Sequence, residues 1–367
     1  MNPHDQIVSA ILDALPAGGE LRLLGRVSNA IVGNSSRRTA FLFIPDLHLI
    51  SPHRRRSFGK YGFSHEDDEL LANILESLAR LRSGWDESGV NKLVTIQVGD
   101  FFDLWREFGG RARPEQIEDE THGRLRDLLY RGVFRDEPCL RATMLLGNHD
   151  TKRGVPLSEI PFQLKAFNRS RRGRPFLFAT HGDAFDLFEQ FAPDVIQEFI
   201  VHFIGRLTPT NKYTIESWGK LAGPKNKTFT DLKHSITQPE HVLDDSEGAV
   251  RVLPEERLPA FLAQQTTDPT EITHGRFDDL YESLEGAAAL HDEAGSIRLA
   301  CIGHTHHAAM IACRPETGRS LVMMDVGSWI EECTYPLEEG DVVTEPCAQL
   351  GVVHGNDVRL YQVRLTQ

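Results

Sequence analysis

Apolar residues in this chain fall into short, dense runs, and a polar cluster follows each one. Ala40-Phe41-Leu42-Phe43-Ile44 is one such run, and its unbroken apolar character is typical of a strand covered on both faces. Residues 93–98, 142–146, 176–180 and 297–302 repeat the pattern. Helical periods separate the runs. Leu70, Leu71, Ile74, Leu75, Leu78 and Leu81 lay one stripe, with a start at Ser64 and Asp67 three residues on as its capping-box partner. A second helix is expected from Gln116 to about Arg131. Strand, polar motif and helix in repetition predict an α/β sheet that gathers polar residues along one edge.

Two segments stand apart from this rhythm. Residues 1–38 form an expected N-terminal extension, in which Ile7, Val8, Ile11, Leu12 and Leu15 keep helical spacing until Pro16 stops them. The polar stretch 33–38 reads as a connector to a main domain over 39–367. The second segment, about 185–275, opens with Phe188, Phe191, Ile196, Phe199, Ile200, Phe203, Ile204 and Leu207 at helical spacing. It predicts a helical insertion, either a lid projecting over the polar edge or an ordinary extra layer. Residues 236–272 within it are polar and proline-rich.

Composition narrows the class. The 367 residues are 40% hydrophobic and 25% charged, ordinary values for a globular protein. A net charge of −13 argues against a general binder of nucleic acid or of anionic membranes. Five scattered cysteines without a Cys-x-x-Cys spacing predict a reducing compartment and no disulfide framework. The opening Met1-Asn2-Pro3-His4-Asp5 lacks the basic start and apolar run of a signal peptide. No apolar stretch approaches the ~20 residues that span a bilayer. The expectation is a cytoplasmic protein, with peripheral membrane contact left open.

The chemistry lies in five segments, each placed after an apolar run. They are Asp46-Leu47-His48, Gly99-Asp100-Phe101-Phe102-Asp103, Gly147-Asn148-His149-Asp150, His181-Gly182-Asp183 and Gly303-His304-Thr305-His306. Carboxylate, amide oxygen and imidazole suit manganese first, with iron, zinc or cobalt as alternatives. Asp46, His48, Asp100, Asn148, His181, His304 and His306 are seven candidate ligands, too many for one tetrahedral ion. They fit two divalent ions about 3.5–4 Å apart sharing a carboxylate, the arrangement that clamps both oxygens of a phosphoryl transfer. Asp100, after a glycine that lets the backbone bend, is the natural bridge, one oxygen to each ion. Asp46 and His48 reach one ion only if the strand has begun to turn. His304 and His306 share a face if their segment is extended. Asn148 adds an oxygen without charge. His149 is placed as general acid for the leaving oxygen, with Asp150 to orient it.

These segments resemble the calcineurin-like metallophosphoesterase family over residues from about 40 to 330. The resemblance implies a four-layer α/β/β/α sandwich with two central sheets and a dinuclear site. It implies one ion held by Asp46, His48, Asp100 and His306, and a second by Asp100, Asn148, His181 and His304. A hydroxide between the ions would attack phosphorus in line. Residues 99–105, 181–186, 303–308 and 327–334 are similar to the bacterial UDP-2,3-diacylglucosamine diphosphatase group. The insertion resembles that group's acyl-binding lid, although the best-known branch carries Arg in place of His149. The expected substrate is therefore a phosphorylated small molecule or a lipid-linked diphosphate. The rivals are a phosphodiesterase of cyclic nucleotides or nucleic acid, and a non-enzymatic scaffold, whose mark would be missing ligands.

Other polar residues carry weaker signals. His53, Arg54, Arg55, Arg56 and Lys60 would grip a phosphate or form a solvated basic loop, and Lys152 and Arg153 follow the acid candidate. Arg169, Arg171, Arg172 and Arg174 read as a solvated turn. Trp105 and Trp329 read as packing residues, and His122, His202, His234 and His241 as ordinary structural histidines.

Overall fold

Alternation decides which way each central strand faces. In Thr39–Ile44, Ala40, Leu42 and Ile44 enter one apolar cluster, while Phe41 and Phe43 enter another. A strand buried on both faces needs a layer on each side, and the architecture provides them. The computed structural model describes residues 2–27, 38–51, 65–89, 91–107, 114–117, 120–131, 138–151, 160, 162–163, 165–169, 175–182, 252–254, 297–304, 306, 308–314, 321–329, 333–336, 342–345 and 348–365.

In chain order the first elements are α1 (Pro3–Ala14), β1 (Gly19–Val27), β2 (Thr39–Ile44), α2 (His65–Ser88) and β3 (Lys92–Gln97). Then come α3 (Pro114–Ile117), α4 (Glu120–Arg126), β4 (Thr143–Met144), β5 (Lys165–Arg169), β6 (Pro175–Thr180) and β7 (Val252–Pro254). The remainder is strand: β8 (Leu299–Ile302), β9 (Ala308–Arg314), β10 (Leu321–Val326), β11 (Cys333–Pro336), β12 (Val342–Glu345), β13 (Gln349–His354) and β14 (Asp357–Leu365).

Two six-stranded sheets result, in the orders β1-β14-β13-β2-β3-β4 and β5-β6-β8-β10-β9-β7. β2, β3 and β4 run parallel in the first, and β6, β8 and β10 run parallel in the second. Helices cover the outer face of the first sheet, where Ile7, Ile11, Leu71 and Leu75 pack with Leu42 and Val352. The two sheets share the other interior, with Phe41, Phe43 and Val353 set among Phe176, Leu299 and Met324. Phe41 and Phe176 meet there edge to face at 5.5 Å. The chain is thus mixed α/β, as its periodicities predict. The second helical layer that the resemblance implies falls outside the described residues. So does the expected insertion, apart from β7, a short strand in its polar, proline-rich part that pairs in parallel with β9. Ser64, the expected cap of α2, lies outside them too. Among the described residues no helix is long and apolar enough to cross a membrane.

Residues 3–27, expected as an extension, contribute to both the first sheet and its helical cover. β1 pairs antiparallel with β14 along its length, with a register shift between Leu23 and Gly25. α1 begins at Asn2, whose side chain accepts from the Asp5 amide, with Pro3 suited to the first turn. Its His4 is buried, and Nε2 shares a 2.9 Å hydrogen bond with the Tyr361 hydroxyl. Arg359 donates to the same hydroxyl at 3.2 Å.

Burial, helped by the Arg359 charge, pushes the His4 pKa down to about 3. The unfolded chain takes up that proton near 6.5, so it binds more protons than the folded chain between the two values. Stability should fall as pH drops through that window, by up to about 1.4 kcal/mol per unit. His4→Gln removes the titrating group. Denaturant melts at pH 7, 5 and 4 should show the wild type losing more stability than the variant. Equal losses would place the acid sensitivity elsewhere.

Candidate metal centre

The parallel strands of both sheets end at one edge, and each polar motif leaves from such an end. β2 runs out through Pro45 to Asp46 and His48, β3 to Gly99 and Asp100, and β4 to Asn148. From the second sheet, β6 leads to His181, and β8 to His304 and His306. Cross-links tie these ends together. The amides of Leu47 and His48 both donate to the Asp100 carbonyl, at 3.0 and 2.8 Å. The Gly303 amide donates to the His181 carbonyl, and the Trp329 amide to that of Asp46, each at 2.8 Å. Buried Gln97 clamps two loops, donating to the carbonyls of Gly99 at 2.6 Å and Pro45 at 3.3 Å.

The backbone turns sharply where the ligands sit. His48, Asp100, His304 and His306 have φ of 49°, 45°, 74° and 61°, in the left-handed region that side chains avoid. Each such residue costs on the order of 1–3 kcal/mol. The backbone is turned at His48, as expected, and His48 stands in one donor group with Asp46. At His304 and His306 the finding corrects the expectation: the segment is curled, not extended. Glycines make the close approaches feasible. A Cβ on Gly147 would collide with the amide and carboxylate of Asp100, and one on Gly303 with the Asp46 carboxylate.

The candidate ligands fall into two groups. In the first, which holds Asp46, His48, Asp100 and His306, donor atoms lie within 4.8 Å of one another. His48 Nε2 is 2.8 Å from His306 Nε2 and 3.4 Å from Asp100 Oδ2, and His306 Nε2 is 3.7 Å from Asp46 Oδ2. Asp100, His181 and His304 form the second. There His181 Nε2 is 3.2 Å from His304 Nδ1, 3.3 Å from Asp100 Oδ2 and 3.1 Å from Asn148 Oδ1. Asp100 therefore belongs to both. Its Oδ1 is occupied by the His149 amide at 2.9 Å, so one oxygen, Oδ2, faces both groups. The expectation of one oxygen per group does not match this geometry.

The donor set fits cations. Imidazole nitrogens confront one another across 2.8 and 3.2 Å in a pocket where Asp46, His48, Asp100 and His181 are all buried. Burial lowers the pKa of His48 and, with the neighbouring His48 ring, that of His306. Both are thus held as the neutral imidazoles that metals bind. Burial raises Asp46, reinforced by Asp100 and Asp325. Burial also works against ionised Asp100, but His181, His149 and His48 outweigh it and hold the carboxyl well below its usual range.

His149 sits beside the first group, and its surroundings revise one expectation. Asp150 does not orient it. The Asp150 carboxylate accepts from the amides of Phe102 at 2.7 Å and Gly147 at 2.9 Å, bracing the loops after β3 and β4. Burial and the Asp100 charge push its pKa up to about 7. Asp103 takes the place expected of Asp150, with Oδ1 2.9 Å from His149 Nδ1 and Oδ2 3.5 Å from His48 Nδ1. The motif Gly99-Asp100-Phe101-Phe102-Asp103 contains this carboxylate, but spacing alone does not say which histidine it meets.

Sequence reasoning also passes over the supports of the loop after His48. Glu107 accepts from the Ser51 amide at 2.6 Å and hydroxyl at 3.0 Å. His122, read as a structural histidine, is buried, donates to the Ile50 carbonyl at 3.1 Å and stands 3.2 Å from Asp68. Trp329 packs in the helix-covered core as expected. His53, Arg54, Arg55, Arg56, Lys60, Lys152, Arg153, Asp183, Arg171, Arg172, Arg174, His202, His234 and His241 lie outside the described residues.

The family model described as Calcineurin-like phosphoesterase matches residues 39–308, from the start of β2 to the first residue of β9. That span takes in both ligand groups and His149. No curated protein matches the chain. With most of its length covered by the match and candidate metal ligands gathered at one sheet edge, the chain belongs to the calcineurin-like phosphoesterase family, whose members are metal-dependent phosphoester hydrolases.

Proposed function

We propose that the chain is a dinuclear phosphoesterase in which Asp46, His48, Asp100 and His306 hold one divalent ion and Asp100, Asn148, His181 and His304 the other. The observation that carries this reading is Asp100 Oδ2, 3.4 Å from His48 Nε2 and 3.3 Å from His181 Nε2, a single buried oxygen facing both donor groups. Two bound ions, manganese first and iron, zinc or cobalt otherwise, would supply positive charge to the phosphoryl oxygens and activate water. His149 is the proton donor. Asp103 engages Nδ1, and Nε2 is the nitrogen we assign to the substrate. As the bond from phosphorus to the leaving oxygen breaks, the proton passes from Nε2 to that oxygen, and the alcohol departs neutral.

For the substrate we propose a phosphate ester or anhydride with a poor leaving group, of the lipid-linked diphosphate kind cleaved by UDP-2,3-diacylglucosamine diphosphatases. What supports this is the set of motifs similar to that group, of which Asp103 and Trp105 contact His149 and the Trp329 amide donates to the Asp46 carbonyl. A hydrolysis screen with Mn²⁺ across p-nitrophenyl esters, cyclic nucleotides and UDP-sugar lipids tests the assignment. Turnover confined to cyclic nucleotides would replace it with a phosphodiesterase reading.

Metal content gives the first test of the site. Asp100→Asn should weaken both ions together, whereas His48→Ala should mainly weaken one, as read by elemental analysis after dialysis and by calorimetric titration with Mn²⁺. One ion per metal-replete chain, indifferent to Asp100, would overturn the shared-ligand assignment.

Leaving-group dependence gives the second. His149→Ala should lose roughly 10²–10⁴-fold on alkyl phosphoesters while keeping its metals. The loss should be smaller on p-nitrophenyl esters, since p-nitrophenolate departs without a proton. Equal losses on both would make His149 structural.

A further inference from the structure

Asp100, Asp103, His48 and Trp105 all contact His149. Its amide donates to Asp100 Oδ1 at 2.9 Å, and its Nδ1 meets Asp103 Oδ1 at 2.9 Å. The His48 ring stands nearly perpendicular to it, with centroids 4.8 Å apart and planes at 81°. Against it also lies the indole of Trp105, centroids 4.3 Å apart and planes at 26°, a stacked pair.

Trp105, only 6% exposed, is buried outside the two hydrophobic clusters of the described residues, although its neighbour Leu104 belongs to one. A buried indole is expected to fill a core and to find a partner for its N–H. Trp105 meets the second condition by donating from Nε1 to the Thr151 carbonyl at 2.8 Å. That bond joins the turn Leu104–Arg106 to the end of the turn Asn148–Asp150. It fixes the indole plane relative to the loop that carries His149.

We propose that Trp105 is a positioning residue for proton transfer, acting through the His149 ring and resting on the reading of His149 as proton donor. The Asp103 bond fixes the position of Nδ1, and the stacked indole face fixes the plane of the ring, because tilting would drive the imidazole edge into the indole. The stack thereby keeps Nε2 aimed where the leaving oxygen departs. Misplacement of a catalytic group by about 1 Å can cost on the order of 100-fold, so a flat neighbour has a kinetic consequence without touching substrate.

The test uses the metal-loaded full chain and compares an alkyl phosphoester with a p-nitrophenyl ester. Trp105→Leu should lose roughly 10- to 100-fold more on the alkyl ester than on the p-nitrophenyl ester, with metal content retained. Trp105→Phe keeps a flat ring but not the N–H, and should restore the alkyl activity to within about threefold of wild type. The double variant Trp105→Leu/His149→Ala should be no worse than His149→Ala alone, because the tryptophan acts only through the imidazole. Multiplying losses in the double variant, or equal losses of Trp105→Leu on both esters, would overturn the proposal. If His149→Ala shows no leaving-group dependence, the proton-donor reading fails, and the double variant still reports whether the two side chains act as one unit. Should Trp105→Leu not fold, NMR of the zinc-loaded wild type and Trp105→Phe decides the matter. The ring protons of His149 should lie upfield in the wild type and move in Trp105→Phe; unshifted resonances would overturn the stack.

Discussion

Asp100 is the residue on which the rest of the polar edge depends. Its carbonyl accepts two amides from the loop after β2, and its Oδ1 accepts the amide of His149 from the loop after β4. Its Oδ2 faces imidazoles delivered by both sheets. One residue therefore sets the spacing among three loops and two donor groups. The carboxylate is buried, and burial of an ionised group is costly unless charge and hydrogen bonds compensate. The His149 amide bonded to Oδ1 and the neighbouring His181 and His149 rings favour the ionised form before any cation is considered.

The strain at this edge follows from the same requirement. In an extended strand, residues two apart share a face but stand about 6.6 Å apart with their side chains side by side, so drawing Asp46 and His48 together on one point favours a turn. The left-handed backbone at His48, Asp100, His304 and His306 supplies such turns at the polar edge. Together these residues cost several kcal/mol. The bonds around Gln97 and between strand ends hold the turns in place, and the convergence of imidazoles on buried carboxylates gathers candidate ligands whose binding of a cation would offset the cost.

This physics explains how much was legible in the sequence. Parallel strands buried on both faces must be apolar throughout, so β2, β3, β6 and β8 are readable as runs, and their polar ends as site segments. β1 is different. It is an edge strand, mostly half-buried and with a register shift at Gly25, so its pattern is neither a run nor a clean alternation. The curl of His304 and His306 was likewise hidden, because left-handed non-glycine residues carry no compositional mark. The choice between Asp103 and Asp150 as the partner of His149 depends on where each loop turns after its strand, and sequence distance favours the wrong one.

The turn Asn148–Asp150 shows why adjacency misleads. In a 3₁₀ turn, successive side chains diverge by roughly 120°, so three consecutive polar residues face three directions. Asn148 faces His181 and the second donor group, and Asp150 faces back to the amides of its own and the neighbouring loop. His149 is left to face the carboxylate arriving from the other loop, Asp103, and the indole two residues beyond it. A candidate ligand, the proposed proton donor and a brace thus come from one turn because its geometry keeps them apart. The same Asp103 carboxylate reaches His48, so a candidate ligand and the proposed proton donor are set from a common anchor. Their relative placement is a property of the β3 loop, not of either histidine alone.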